Sequence, residues 1–286
     1  MSTPSSVRGI LAMLAGAGLL TLSDAVTKHL TEHYPVGQVL CLRQVASLFF
    51  ILPYAWIVTG ARALRIVDGH GQLVRGMLFL GGAIIVVVSL HHLPLSFVSV
   101  VLFSSPLFVA ALSAPMLGER VYAYQWAAIA VGFCGVLLIV QPGTRGGGWI
   151  ALLALFGAFL NAVRDLYTRR LSRTDTSISI LFWSGVAVCI GGVFTLPFGW
   201  KSIDFNGGMW FLAAGFFNAS AQFLVIEAFR LGRAAVVAPF RYSGLLWAML
   251  IGFLAWSEVP DAWMVIGAAI VAWAGVYMSR RSTRPA

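Results

Sequence analysis

An internal repeat, with an odd number of apolar runs in each copy, constrains this chain more than any other feature. Shifting residues 11–30 by 141 positions lays Leu11 on Leu152, Gly16 on Gly157, Ala17 on Ala158, Asp24 on Asp165, Thr27 on Thr168 and Leu30 on Leu171, and Lys28 meets Arg169. Apolar matches arise readily in a hydrophobic chain. An aspartate with a cation four residues on, twice in register, does not. The repeat continues at a shift of 139, with Gly76 on Gly215, Val86 on Val225, Ser104 on Ser243 and Glu119 on Glu258. The change of shift implies small indels in the second and seventh runs, where Leu52-Pro53 matches Leu196-Pro197. Two five-span units must cross a bilayer in opposite senses, so the expected design is an inverted repeat, residues 1–141 and 142–286. Such designs place a binding site near the midplane between the halves.

The lipid setting follows from charge. Only 10% of the 286 residues are charged and 59% are hydrophobic, with mean hydropathy +0.89, against roughly 25% charged in soluble domains. Runs of about 20 apolar residues cross the hydrocarbon core as helices. They fall at 8–30, 35–58, 72–92, 94–117, 122–140, 148–171, 176–198, 207–231, 233–256 and 260–278, which predicts an all-α polytopic protein of ten spans around a central cavity. The first run, behind Arg8, resembles a secretory signal, but its length and its partner at 152–171 mark it as a true span. Cys41, Cys134 and Cys189 lie inside apolar runs without metal-ligand spacing and read as packing residues; no metal and no cofactor is expected.

The net charge of +9 reports topology and not nucleic acid. Thirteen of the nineteen cations fall on one side, including Arg62, Arg65, Arg75, Arg169, Arg170 and Arg173. Lys28, Arg145 and Lys201 fall on the other, and Arg43, Arg164 and Arg241 lie within spans. The positive-inside rule then puts both termini in the cytoplasm of a cell carrying the protein in its inner membrane.

Polar side chains at depth mark which spans face an interior, because a lipid-facing surface cannot hold them. The fourth span carries Ser104, Ser105 and Pro106; the sixth, Asn161, Arg164 and Asp165; the eighth, Asn218 and Gln222, four apart and on one face; the ninth, Pro239, Arg241, Tyr242 and Ser243. The fifth and tenth spans have no polar group at depth but small residues four apart, a signature of close helix packing. Asp24 with Arg43 would form an outer charge cluster, and Asp165 with Arg241 or Arg164 an inner one, acting as alternating gates. The plainer alternative pairs each aspartate with Lys28 or Arg169 on its own helix. Pro106 and Pro239 read as hinges or static kinks, and Glu119 and Glu258 as anions beside the next helix N-terminus. Near-cancelling buried charge favours a neutral or zwitterionic solute, with Phe103, Tyr242 and Trp183 as candidate apolar wall and Ser104, Asn161, Asn218, Gln222 and Arg241 as polar contacts.

Leu117-Gly118-Glu119 and Trp256-Ser257-Glu258 close the fourth and ninth spans, and each glutamate is followed nine residues on by a small residue, Ala128 or Gly267. This five-plus-five pattern resembles the drug/metabolite transporter superfamily, in its EamA-type repeat, over nearly the whole chain. Within it the chain is similar to the YddG-type exporters of aromatic and other neutral amino acids. The resemblance implies a basket of ten helices, a central hydrophobic cavity and alternating access. The chain departs from those exporters at Ser105-Pro106 and at Asn161, where a large aromatic is expected. The reading is a carrier that exports small neutral or aromatic amino acids and related metabolites, with the lipid bilayer and the solute as its partners and an oligomeric state the sequence leaves unknown. A multidrug or sugar-derivative carrier is the alternative. An intramembrane enzyme is disfavoured, since His-Glu-x-x-His and Gly-x-Ser-x-Gly are both missing.

Overall fold

In lipid every backbone N–H and C=O must find its partner within the chain, so apolar runs of this length can only be helices. The computed structural model, which describes residues 4–60, 64–117, 123–140, 148–171, 174–231 and 238–282, is all-helical there. Its helices follow the ten predicted spans in order. Spans 1 to 3 are Pro4–His33, Val36–Tyr54 and Gly69–His92. Span 4 is split into Leu95–Leu102 and Ser105–Leu117, and span 5 is Ala123–Val140. Spans 6 to 8 are Gly148–Leu171, Ser177–Val193 and Phe205–Leu231. Span 9 is a 3₁₀ turn, Ala238–Tyr242, running into Ser243–Trp256, and span 10 is Ala262–Ser282. Spans 1, 2, 3, 6 and 8 are long and apolar enough to cross a bilayer; the other five contain shorter apolar helices.

Local chemistry sets the helix ends. Pro35 and Pro94 stand at the N-caps of spans 2 and 4, where a missing N–H costs nothing. The Asp68 carboxylate accepts from the Gly71 amide at 2.9 Å to cap span 3, and the Thr176 hydroxyl accepts from the Ser179 amide at 3.1 Å to cap span 7. Span 4 breaks for an equally local reason. The Ser104 hydroxyl donates back to the Val101 carbonyl at 2.6 Å, the Ser104 amide reaches the same carbonyl at 3.0 Å, and Pro106 then starts a new first turn. Both prolines expected to interrupt helices therefore sit at interruptions, Pro106 in the first turn after the break and Pro239 inside the 3₁₀ turn.

Packing is two-fold symmetric in element order. Span 1 packs on span 8 as span 6 packs on span 3; span 2 packs on span 8 as span 7 packs on span 3; span 1 meets span 9 as span 6 meets span 4. Spans 2 and 7, and spans 5 and 10, are paired with their own counterparts. Small residues permit these approaches. A Cβ on Gly135 would lie 2.9 Å from the Gly267 carbonyl oxygen, so spans 5 and 10 touch backbone to backbone, as their small-residue spacing predicts. Cys41 and Cys189 meet in the span 2–span 7 seam, the Cys41 thiol 3.5 Å from the Cys189 carbonyl, and are packing residues there.

Candidate functional site

The end carrying the 257–261 linker is termed outer here, after the cation count. Three constellations lie along the axis between the halves. At mid-depth the two interrupted spans meet: the Phe103 and Tyr242 rings are 5.7 Å apart and tilted by 35°. At the shift of 139 these are equivalent positions in the two copies of the repeat. The Tyr242 hydroxyl is buried and has no hydrogen-bond partner among the described residues, which leaves a donor and an acceptor beside the ring pair.

Toward the inner end, Asp165 sits between two arginines. Arg164 Nη2 donates to its Oδ1 at 2.8 Å, and Arg241 Nη1 lies 3.9 Å from Oδ2. Arg75 completes the cluster from span 3, donating Nε–H to Thr168 Oγ1 at 2.7 Å and Nη1 to the Ile180 carbonyl at 3.2 Å and to the Ser184 hydroxyl. Thr168 is the counterpart of Thr27. Two guanidinium groups, of Arg164 and Arg241, thus share one aspartate, and the Asp165 and Arg241 side chains are 32% and 38% exposed.

Toward the outer end, Asp24 and Arg43 stand 3.6 Å apart, and Arg43 Nη1 donates to Thr27 Oγ1 at 2.9 Å. Lys28 does not return to Asp24. It pairs with Glu258 from the linker between spans 9 and 10 and lies 4.8 Å from the Trp256 ring centroid. Glu258 also accepts from the Leu95 amide at 3.1 Å and from the Ser96 amide and hydroxyl at 3.4 and 3.1 Å. It therefore caps the start of span 4, not the helix that follows it in sequence. These bonds tie both halves together over the outer end.

The remaining predicted residues are distributed around this axis. Asn161 faces span 3, its Oδ1 3.2 Å from the position of a Cβ on Gly82. Asn218 is buried and turned toward span 2, donating to Ser47 Oγ at 3.0 Å; Gln222 follows one turn further along span 8, half-buried. The Ser104 hydroxyl is used by its own helix, as above. Trp183 is corrected: its indole donates to the Leu64 carbonyl at 3.0 Å at the inner end of span 7 and lines no wall beside Phe103. Glu119, the counterpart of Glu258, lies outside the described residues, as does the side chain of Arg169.

Sequence reasoning missed the Glu258–Lys28–Ser96 junction and the role of Arg75. Register equivalence flagged Glu258, but its partners Ser96 and Lys28 lie 162 and 230 residues away in sequence and no spacing reveals that.

Comparison with known proteins is consistent with this architecture. The sequence profile of the EamA-like transporter family matches residues 7–141 and again 148–280. The chain belongs to that family. It is 29% identical to a riboflavin transporter of Rhizobium johnstonii over 282 residues, covering 98% of this chain and 93% of the relative. It is 24% identical to an S-adenosylmethionine uptake transporter of Rickettsia prowazekii, covering 93% and 90%. Against the pseudopaline exporter CntI of Pseudomonas aeruginosa it is 26% identical, covering 95% and 96%. A solved crystal structure shares the fold at TM-score 0.67 and 19% identity, over 98% of this chain and 99% of that one. The chain is thus a multi-pass membrane transporter of the EamA type whose relatives carry small organic solutes.

Proposed function

We propose that this transporter exports small neutral or aromatic amino acids and related metabolites across the inner membrane by alternating access, with both termini in the cytoplasm. One observation carries the reading: an aromatic pair, Phe103 and Tyr242, adjoins a charge cluster of both signs, Arg241 with Asp165. A zwitterion with an apolar side chain complements both. Arg241 takes the carboxylate, Asp165 competes for Arg241 and so keeps binding reversible, and the rings take the side chain. Ser104, Asn161, Asn218 and Gln222 border the path on spans 4, 6 and 8. In this reading residues 1–141 and 142–286 are inverted repeats that rock against each other about the breaks at Pro106 and Pro239. The Asp24–Arg43 and Asp165–Arg164 clusters close the two ends in turn.

The riboflavin relative favours a second reading, a carrier of flat heteroaromatic metabolites, for which the Phe103–Tyr242 pair would serve as a stacking platform. A panel of labelled solutes in proteoliposomes separates the two. Counterflow of phenylalanine that is saturable and lost in Arg241→Gln supports the amino-acid carrier. Counterflow of riboflavin that survives Arg241→Gln but fails in Tyr242→Ala selects the second.

A further inference from the structure

The outer end of span 1 carries a cluster that the transport reading does not use. His29, Glu32 and His33 stand at positions i, i+3 and i+4 of the last helical turns, so all three project from one face. One ligand atom from each lies within 4.8 Å of the others. His29 Nδ1 is 3.7 Å from Glu32 Oε2, and the two imidazole centroids are 5.0 Å apart. Beside them opens a hollow of about 160 Å³, lined by both histidines, Tyr34, Asp204 and Trp210.

The surrounding bonds orient the three groups as ligands are oriented in metal sites. His33 Nδ1 lies 3.2 Å from the His29 carbonyl oxygen. That contact is a hydrogen bond when Nδ1 carries the proton, and it leaves the Nε2 lone pair directed outward. Glu32 Oε1 accepts from the Trp256 indole at 2.9 Å, leaving Oε2 toward His29. A metal-bound imidazole ordinarily donates its second nitrogen to a carbonyl or carboxylate, and a metal-bound carboxylate is itself held by a hydrogen bond. Both features are present here.

We propose that His29, Glu32 and His33 form a binding site for a divalent transition-metal ion of the zinc class at the outer mouth. Two imidazoles and one carboxylate are a borderline-soft N₂O donor set suited to Zn²⁺ and Ni²⁺, and poorly suited to Mg²⁺ or Ca²⁺, which take oxygen ligands. Bonds of about 2.1 Å to a tetrahedral ion put ligand atoms roughly 3.4 Å apart. Rotamer shifts of these part-exposed side chains close that gap, and water fills the remaining position. Because Glu32 is bonded to Trp256, a bound ion would also fix span 1 to the end of span 9, beside the Lys28–Glu258 junction.

Zinc titration of the purified full chain by calorimetry, with Mg²⁺ as control, tests the site. The expected result is one saturable zinc site with no magnesium response. Its affinity falls at least tenfold in His29→Ala/His33→Ala and in Glu32→Gln. In Trp256→Phe, which removes the hydrogen bond that positions Glu32 and keeps an aromatic ring there, it falls roughly tenfold. Zinc also raises the thermal unfolding midpoint of the wild type but not of the double variant. His91→Ala/His92→Ala, at the exposed histidine pair that ends span 3, leaves zinc binding unchanged. Equal zinc isotherms for the wild type and the double variant, or loss of binding in His91→Ala/His92→Ala instead, would overturn the proposal. The single variant His33→Ala, at an exposed position, should also weaken zinc, and unchanged affinity there would overturn the proposal.

Discussion

The outer and inner charge clusters are built from equivalent turns of spans 1 and 6, yet the two turns are satisfied differently. At the outer end each charge has found one opposite partner: Asp24 with Arg43, and Lys28 with Glu258. The Arg43 side chain is 9% exposed, and those of Lys28 and Glu258 are 12% each. At the inner end Arg164 and Arg241 both reach Asp165, with Arg75 bonded beside them to Thr168, and Arg241 is 38% exposed. A paired, desolvated cluster resists separation, because parting it leaves buried charges uncompensated. A part-exposed cluster, in which two arginines reach one aspartate, can accept an anionic group and release it. The difference arises from identity at a few positions. Span 1 carries Ser23 where span 6 carries Arg164, and span 3 carries Arg75 where span 8 carries Ala214.

Removing the partner that closes the outer end gives the largest expected effect. Glu258→Ala leaves Lys28 half-buried without its anion and the Leu95 and Ser96 amides without their acceptor. Breaking a buried pair from one side typically costs about 3 kcal/mol, and thermal unfolding in detergent should register a loss of that order. A cysteine introduced at Ser96 in the same background should become reactive toward an impermeant thiol reagent added from outside. If stability is unchanged and Ser96 stays protected, the junction does not hold this end closed.

A glycine pair sharpens the comparison next. Gly76 and Gly215 are equivalent, but a Cβ at Gly215 would fall against Ala46 and within 2.7 Å of the Ser47 amide nitrogen, whereas at Gly76 it would meet only the Ala187 methyl at 3.0 Å. Overpacking against backbone costs typically 1–3 kcal/mol, so Gly215→Ala should fall at about 2 kcal/mol. Gly76→Ala, which asks one methyl to shift, should cost under about 1 kcal/mol. Equal losses would mean that the two helix seams are equally tight.

Transport follows at a smaller scale. Asp165→Asn removes an anion shared by Arg164 and Arg241, while Asp24→Asn leaves Arg43 bonded to Thr27. A lost charged hydrogen bond of about 1.5 kcal/mol corresponds to roughly a tenfold change, so saturating efflux from proteoliposomes should drop about tenfold for Asp165→Asn and less for Asp24→Asn. The reverse order would assign the rate-determining opening to the outer cluster.

Much of this was legible in residues alone, and the boundary between read and unread is physical. Depth along a helix is a matter of counting, so the ten spans, the equivalence of Asp24 with Asp165 and the interruptions near Pro106 and Pro239 all follow from sequence. Rotation about the helix axis and choice of neighbour are not. The i,i+4 rule would pair Asp24 with Lys28, but Lys28 reaches the more distant Glu258, because that carboxylate is also anchored by the amides that open span 4. Asn218 turns to Ser47 and Trp183 to Leu64 for the same reason: a buried donor takes whichever acceptor the tertiary packing brings near. Polarity at depth predicted that these side chains avoid lipid, which says nothing of which interior partner they find.

The smallest effect concerns two loop ties that mirror each other outside the bilayer. On the inner side burial would raise the Asp175 carboxyl. The amides of Val67 and Asp68 at 3.0 and 3.2 Å, Gln72 Nε2 at 3.2 Å and the Thr174 hydroxyl at 2.9 Å outweigh it and hold the group below its usual range. On the outer side the Tyr34 hydroxyl at 2.8 Å and the Gly207 amide at 3.0 Å lower exposed Asp204 likewise. A carboxyl lowered by folding adds stability above its unfolded value, near 3.9, and that stability is lost as pH falls through the folded value. The unfolding midpoint should therefore decline on acidification below about pH 4, and each Asp→Asn variant should flatten its own share of that decline. Asp175 is buried among four donors and should account for about 1 kcal/mol; Asp204, open to solvent with two, should account for less. An acid decline that persists unchanged in Asp175→Asn would place the titrating group elsewhere and remove the inner tie from the comparison.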